Sequence, residues 1–234
     1  MKHMDEAKED LNIGIVLQYT IDTNNKGGID PDLLVRQARD AGFRGVSIKD
    51  GDEMQEKLLK ESCTKYSIKF CQPRPALPLA GPDILAKLMA ARSDGYNIYF
   101  EVKLNQEGQV ETKELKDLDL LRQWIDRFGH AYYESRPDKK ITTQSNATIF
   151  RNSVANYQIY VFIHQPLSQQ IILHNVPEIK TVMWIDTRKE LKFKQDGSDL
   201  TIELKRDPDD ADFTIYGLRL QEHRPEDEIK ETKY

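Results

Sequence analysis

The sequence reads as an α/β domain with about four parallel strands, followed by an antiparallel β-sandwich. Strand-like and helix-like patterns alternate over the first 137 residues, the signature of βα units. From Asn146 onward the helical period disappears, and short alternating runs follow one another between turn residues. Between the two lies a long stretch, Gly95 to Pro137, that opens as a strand, turns, and continues as an amphipathic helix.

In chain order, Asn12–Tyr19 is a nearly continuous apolar run, as expected of a strand buried on both faces. A polar loop spans 24–28. Asp30-Pro31 then opens a helix, pairing an N-cap acid with proline at the first helical position. Leu33, Leu34, Gln37, Ala38 and Ala41 give that helix its face, and Gly42 ends it. Arg44–Ile48 is the second strand. Asp52–Lys65 is a helix with Met54, Leu58 and Leu59 turned inward, and Ser67–Cys71 is a short third strand. The stretch QPRPALPLAGP cannot be helical. It is either a connection or the place where something longer is missing. Pro82–Arg92 is the next helix. Ile98, Phe100 and Val102 then alternate with Tyr99, Glu101 and Lys103 as the fourth strand. Leu115, Leu118, Leu121, Trp124, Ile125 and Phe128 recur at three- and four-residue steps, and Gly129 is a suitable terminator.

The second half offers seven strands: 147–151, 158–164, 169–173, 181–185, 191–194, 200–205 and 213–220. Asp196-Gly197 between two alternating runs marks a hairpin. The domains are read as residues 1–140 and 141–220, with a charged tail at 221–234.

Charge and composition narrow the function classes. With 34 Lys and Arg against 39 Asp and Glu, the net charge is −5, and no basic cluster favours nucleic acid or an anionic membrane. No apolar run approaches the roughly 20 residues of a membrane span, and the first ten residues lack the apolar core of a signal peptide. Cys63 and Cys71 have no metal spacing and read as reduced cytoplasmic thiols. The five histidines are scattered, so neither metal nor cofactor is expected.

The organising stretch carries a resemblance. Ser93-x-Gly95-x-Asn97, the Glu107-Gly108 turn, Trp124 ahead of Gly129, and Ala131-x-Tyr133-x-x-Arg136-Pro137 follow one another without gaps. In this it resembles the end of the catalytic barrel in the α-L-fucosidase family of glycoside hydrolases. Gly14–Thr20, Leu34–Ile48 and Tyr66–Phe70 are similar, more weakly, to the family's first three strands. IYVFIHQP, KTVMWIDTRKELKFKQDGSDLTIEL and the closing strand are similar to its C-terminal β domain. The resemblance implies a truncated (β/α) barrel: a full TIM barrel needs eight βα units in roughly 250 residues, and QPRPALPLAGP stands where the middle units would be.

In such barrels the chemistry sits at the C-terminal ends of the strands. Those ends offer Gln18 and Tyr19, then Lys49, Asp50, Asp52 and Glu53, then Cys71, Gln72 and Arg74, then Glu101, Lys103 and Asn105. Retaining glycosidases need two carboxyl groups about 5–5.5 Å apart. The resemblance places the family's nucleophile and acid/base in the missing middle. It also sets Gln18 where the family has a sugar-binding His, and Asp50-Gly51 where it has a His pair, while Lys49 fits. No residue therefore inherits a catalytic role. Gln18, Tyr19, Lys49, Asp50, Asp52 and Glu101 remain as candidate substrate-binding residues. Asp50, Asp52 and Glu53 read most simply as a solvated turn and the acidic first turn of a helix, which the macrodipole favours. Glu101 is either a paired buried carboxylate or an exposed strand residue. Trp184, Tyr132, Tyr133 and Tyr160 could stack on a sugar, though packing is the simpler role.

Three functions follow. One is a non-hydrolytic fucosidase-like protein binding a carbohydrate or a protein partner, which the loss of catalytic groups favours. One is an active retaining glycosidase with a relocated pair, such as Asp50 or Asp52 with Glu101. The third is a structural subunit, a homodimer built through the open sheet edges, unless the proline-rich segment covers one edge.

Overall fold

The computed structural model describes residues 11–21, 28–79 and 83–224. The loop at 24–27, Pro82 and tail residues 225–234 lie outside them. The chain divides into two compact units, 1–129 and 130–234.

The first unit runs β1 (Ile15–Thr20), α1 (Pro31–Asp40), β2 (Gly45–Lys49), α2 (Glu53–Lys65), β3 (Lys69–Phe70), β4 (Leu77–Pro78), α3 (Ile84–Asp94) and β5 (Ile98–Lys103). Helix α4 (Thr112–Tyr133) leaves it and crosses the division. The strands form one parallel sheet in the order β3-β2-β1-β5-β4. The sheet is open, with β3 and β4 at its ends, so it does not close into a TIM barrel.

Helix starts follow the caps. The Asp30 side chain accepts from the Leu33 N–H at 2.9 Å, with Pro31 at the first helical position. Asp52 accepts from Gln55 N–H at 2.7 Å while Gln55 Oε1 accepts from Asp52 N–H at 2.9 Å, a reciprocal capping box. In α2 the inward residues are Leu59, Ser62 and Cys63, and Met54 and Leu58 are exposed. The expectation of an inward Met54 and Leu58 fails because the buried stripe is centred about one position later on the helical wheel.

Two further expectations are corrected. Gly129 does not end α4. The apolar period runs through it to Ala131 and Tyr132, both buried, and their packing outweighs the roughly 1 kcal/mol that glycine costs inside a helix. The sheet has five strands, not four: Leu77 pairs with Phe100, Pro78 with Glu101, and the Leu79 N–H donates to Glu101 O at 3.1 Å. Proline is tolerated because β4 is an edge strand.

This extra strand explains the proline-rich segment. It leaves β3 at one end of the sheet and enters β4 at the other. The five strands span about 19 Å at the usual interstrand spacing. The six steps from Cys71 to Leu77 reach about 20 Å when extended. The segment is a nearly taut strap across one face of the sheet. Which face follows from the two-residue period of β1. The Tyr19 hydroxyl donates to Leu34 O in α1 at 2.8 Å, so Ile15, Leu17 and Tyr19 face the helices. Val16, Gln18 and Thr20 face the other way. The strap lies on that second face, where Val16, Cys71 and Tyr99 cluster with Ile13 and Ala76.

The second unit adds β6 (Ser135–Pro137), β7 (Ala147–Asn152), β8 (Gln158–His164), β9 (Gln170–Leu173), β10 (Ile179–Trp184), β11 (Phe193–Asp196), β12 (Asp199–Glu203) and β13 (Ile215–Glu222). One antiparallel sheet has the order β10-β13-β8-β7-β6 and the other β11-β12-β9. The β-sandwich core between them includes Ile159, Val161, Ile171, Leu173, Trp184, Ile202 and Leu218. Gly197, at φ 58°, turns the β11–β12 hairpin. Strand β6 has no alternating signal of its own; it forms because Ser135–Pro137 pair with β7. Gln221 and Glu222, read with the tail, close β13.

Candidate functional site

The parallel sheet decides which strand-end side chains can meet. Gln18 is in register with Ser47 on one side and Glu101 on the other, and Thr20 with Lys49 and Lys103. Paired residues point the same way, so all six belong to the strap face. The sequence reading did not single out Thr20 or Ser47. Their signal was available, since Thr20 lies two residues from Gln18 and Ser47 two residues from Lys49 on the same strands.

Two layers result. The lower one is sealed. Gln18 is 1% exposed and Ser47 fully buried. Gln18 Oε1 accepts from the Ser47 hydroxyl at 3.2 Å and from the Arg74 N–H in the strap at 2.9 Å. An N–H can only donate, which fixes the oxygen end of the amide.

The upper layer is open. Glu101 Oε1 accepts from the Thr20 hydroxyl at 2.5 Å, and Lys49 Nζ lies 3.7 Å from the same oxygen. The Glu101 side chain is 20% exposed and that of Lys49 49%. Glu101 is thus a paired carboxylate at the edge of solvent, with Lys103 exposed beside it.

The remaining candidates do not join this pair. Tyr19 lies across the sheet, fully buried, and burial first, then the nearby Cys63, pushes its phenol far above the ordinary value. It is a core residue. Asp52 is committed to the α2 cap. Asp50 is exposed in a left-handed turn at φ 60°, and no hydrogen bond or ion pair joins it to Glu101 or Lys49 among the described residues. Gly51 follows because a Cβ there would meet Ile48 Cδ1 at 2.7 Å. Trp184, Tyr132 and Tyr160 are buried, so they pack rather than present a sugar-stacking surface. Among the described residues no group of three or more His, Cys, Asp or Glu could hold a metal ion, and no helix is long and apolar enough to cross a membrane.

A groove of about 510 Å³ opens elsewhere on this unit, at the opposite, N-terminal end of β5, between the strap and α3. It does not include the Thr20–Glu101–Lys49 group.

The sequence matches no protein-family model and no curated protein. The fold does have solved counterparts. An α-fucosidase of Thermotoga maritima, in complex with a mechanism-based inhibitor, superposes with a TM-score of 0.73 at 11% identity, covering 92% of this chain and 96% of that one. The same enzyme in complex with fucose gives 0.72 at 10% identity, covering 90% and 96%. An α-L-fucosidase of Bacteroides thetaiotaomicron gives 0.66 at 10% identity, covering 90% and 93%. The chain shares the α-L-fucosidase fold, as its strand and turn residues imply.

Proposed function

We propose that this fucosidase-fold protein binds a carbohydrate without hydrolysing it, at the strand-end group formed by Thr20, Lys49 and Glu101. One observation carries the reading: among the described residues the strand ends present a single paired carboxylate, Glu101, whose neighbours are a hydroxyl and an ammonium instead of a second acid. Retaining hydrolysis needs a nucleophile and an acid/base on two carboxyl groups. Asp52 is engaged in capping α2, and among the described residues Asp50 makes no bond to the group. The strap covers the face on which a complete barrel would place further strand ends. What remains is an acceptor, a hydroxyl and a cation within reach of solvent, which suits hydrogen bonding to the vicinal hydroxyls of a sugar. Since fold-matched enzymes include one in complex with fucose, a fucose-type sugar is the first ligand to try.

The test is a glycan array on the intact chain, with an aryl α-L-fucoside hydrolysis assay beside it. Glycan retention that falls in Glu101→Gln, with turnover at background, supports the reading. Turnover well above background that vanishes in the Asp50→Asn, Glu101→Gln double variant replaces it with an active glycosidase. Retention of a protein partner on a glycan-free surface would favour the protein-binding form of the same reading.

The strap also bears on assembly. It supplies β4 to one end of the sheet, and the opposite end, β3, is only two residues long with Lys69 exposed. Short, charged and proline-bearing edges are poor templates for another chain, so we read the protein as a monomer, not as a subunit paired through sheet edges. Solution mass at micromolar concentration tests this. Cys63 and Cys71 are both free and buried, which suits a reducing, cytoplasmic setting.

A further inference from the structure

We infer that the strand-end group takes an anionic sugar, one carrying a carboxylate or a sulfate ester, with Lys103 as the residue that reads the charge. This rests on the carbohydrate-binding reading above and names its ligand class. Register is the starting point. Thr20 pairs with Lys49 on β2 and with Lys103 on β5, so the three lie abreast on one face of the sheet. Neighbouring strands are about 4.8 Å apart, which sets the two lysine backbones about 10 Å apart with Thr20 between them. The Lys49 side chain crosses that gap. Its ammonium reaches over β1 to within 3.7 Å of Glu101 Oε1 on β5. Glu101 precedes Lys103 by two residues on the same strand and face, about 7 Å along it. The end of β5 thus holds the carboxylate, the cation that has come over to it, and a second cation of its own.

The partners of these groups narrow the ligand. Lys49 is matched by Glu101. Lys103 is exposed, and among the described residues it makes no hydrogen bond or ion pair. Asp50, Asp52, Glu53 and Glu107 are the other acids near these strand ends, and among the described residues none pairs with either lysine. Glu101 also keeps an open oxygen. Its Oε1 takes the Thr20 hydroxyl, while Oε2 accepts no hydrogen bond among the described residues. The group therefore offers an acceptor for a sugar hydroxyl and, two residues further along β5, an ammonium with its donors uncommitted. A neutral sugar would use the first and leave the second to water. An anion without hydroxyls would use the second and meet the Glu101 carboxylate with nothing to donate. A sugar with a negative substituent satisfies both, adding a charge-assisted hydrogen bond at Lys103.

The experiment titrates the intact chain with methyl fucoside, methyl galactoside, methyl galacturonoside, methyl galactoside 6-sulfate and inorganic sulfate, followed by amide chemical shifts. The two charged sugars should bind about fivefold tighter than methyl galactoside at low salt, and the preference should shrink at about 0.5 M salt. Shifts should centre on residues 18–20 and 101–104. Lys103→Gln should remove the preference and Lys103→Arg should keep it. Glu101→Gln should weaken every sugar. The tighter of the two charged sugars identifies the substituent. Charged and neutral sugars bound equally, or a neutral one bound tighter, with both weakened by Glu101→Gln, overturn the anionic ligand and leave the carbohydrate reading standing. Inorganic sulfate binding as tightly as the sulfated sugar also overturns it, since the sugar would then contribute nothing. No saturable shift with any sugar overturns both readings together.

Discussion

The side-chain oxygen of Gln18 accepts a hydrogen bond from the backbone N–H of Arg74, 2.9 Å away, and so ties the centre of the sheet to the strap that crosses it. The two residues are 56 positions apart in sequence. One buried amide therefore helps to hold the proline-rich segment on the sheet.

Gln18→Leu removes the acceptor and leaves the Arg74 N–H and the Ser47 hydroxyl without it. The expected loss is about 1–3 kcal/mol, the usual cost of an unsatisfied buried donor. Urea denaturation measures it. Hydrogen exchange should rise selectively at residues 74–79. An unchanged midpoint, or exchange no faster in the strap, would show that the strap is held by its apolar contacts instead.

Helix α4 packs on its unit through Trp124, which is fully buried against Phe128 with ring centroids 5.2 Å apart. Trp124→Ala should cost about 3–5 kcal/mol, read from the same denaturation curves.

Gly42 ends α1 at φ 91°, and a Cβ there would lie 2.5 Å from Ile125 Cγ2. Gly42→Ala combines a strained backbone with overpacking and should cost about 1–3 kcal/mol. Adding Ile125→Ala relieves the clash and leaves the backbone strain. The double variant should lose less stability than the sum of the two single ones. Strict additivity would mean that the residues are not in contact in solution.

The Lys49–Glu101 pair should contribute little to stability, because the Lys49 side chain is half exposed. Glu101→Gln is expected to shift stability by less than about 1 kcal/mol while weakening glycan retention severalfold. Loss of both together would mark Glu101 as structural.

Burial lowers the pKa of His164 below its ordinary 6.5. In the folded state the imidazole therefore holds fewer protons than in the unfolded chain at the same pH. Stability is unaffected by this group well above 6.5 and falls as pH drops from there toward the lower folded value. Unfolding midpoints measured between about pH 7.5 and 5.5 should fall more steeply for the native chain than for His164→Gln. Parallel slopes would show that other groups govern that range.

Local chemistry made much of this protein legible from its residues. Asp30-Pro31 and Asp52 cap their helices because the rule involves three neighbouring residues. Trp124 is buried because a helical stripe needs only its own period. Seven of the eight strands of the second unit follow from alternation and turns, β6 being the exception. The strand-end group was half legible: Lys49 and Glu101 stand at strand ends in any parallel reading, but Thr20 and Ser47 matter only once register sets them beside Glu101 and Gln18. Tyr19 and Gln18 are adjacent in sequence, and sheet geometry sends one to the helices and the other to the strap. Only the tertiary structure could decide that the proline-rich segment is a strap and an edge strand. No local pattern encodes it, because its hydrogen bonds go to β1, β2 and β5, and what makes it taut is the width of a sheet its own residues do not specify.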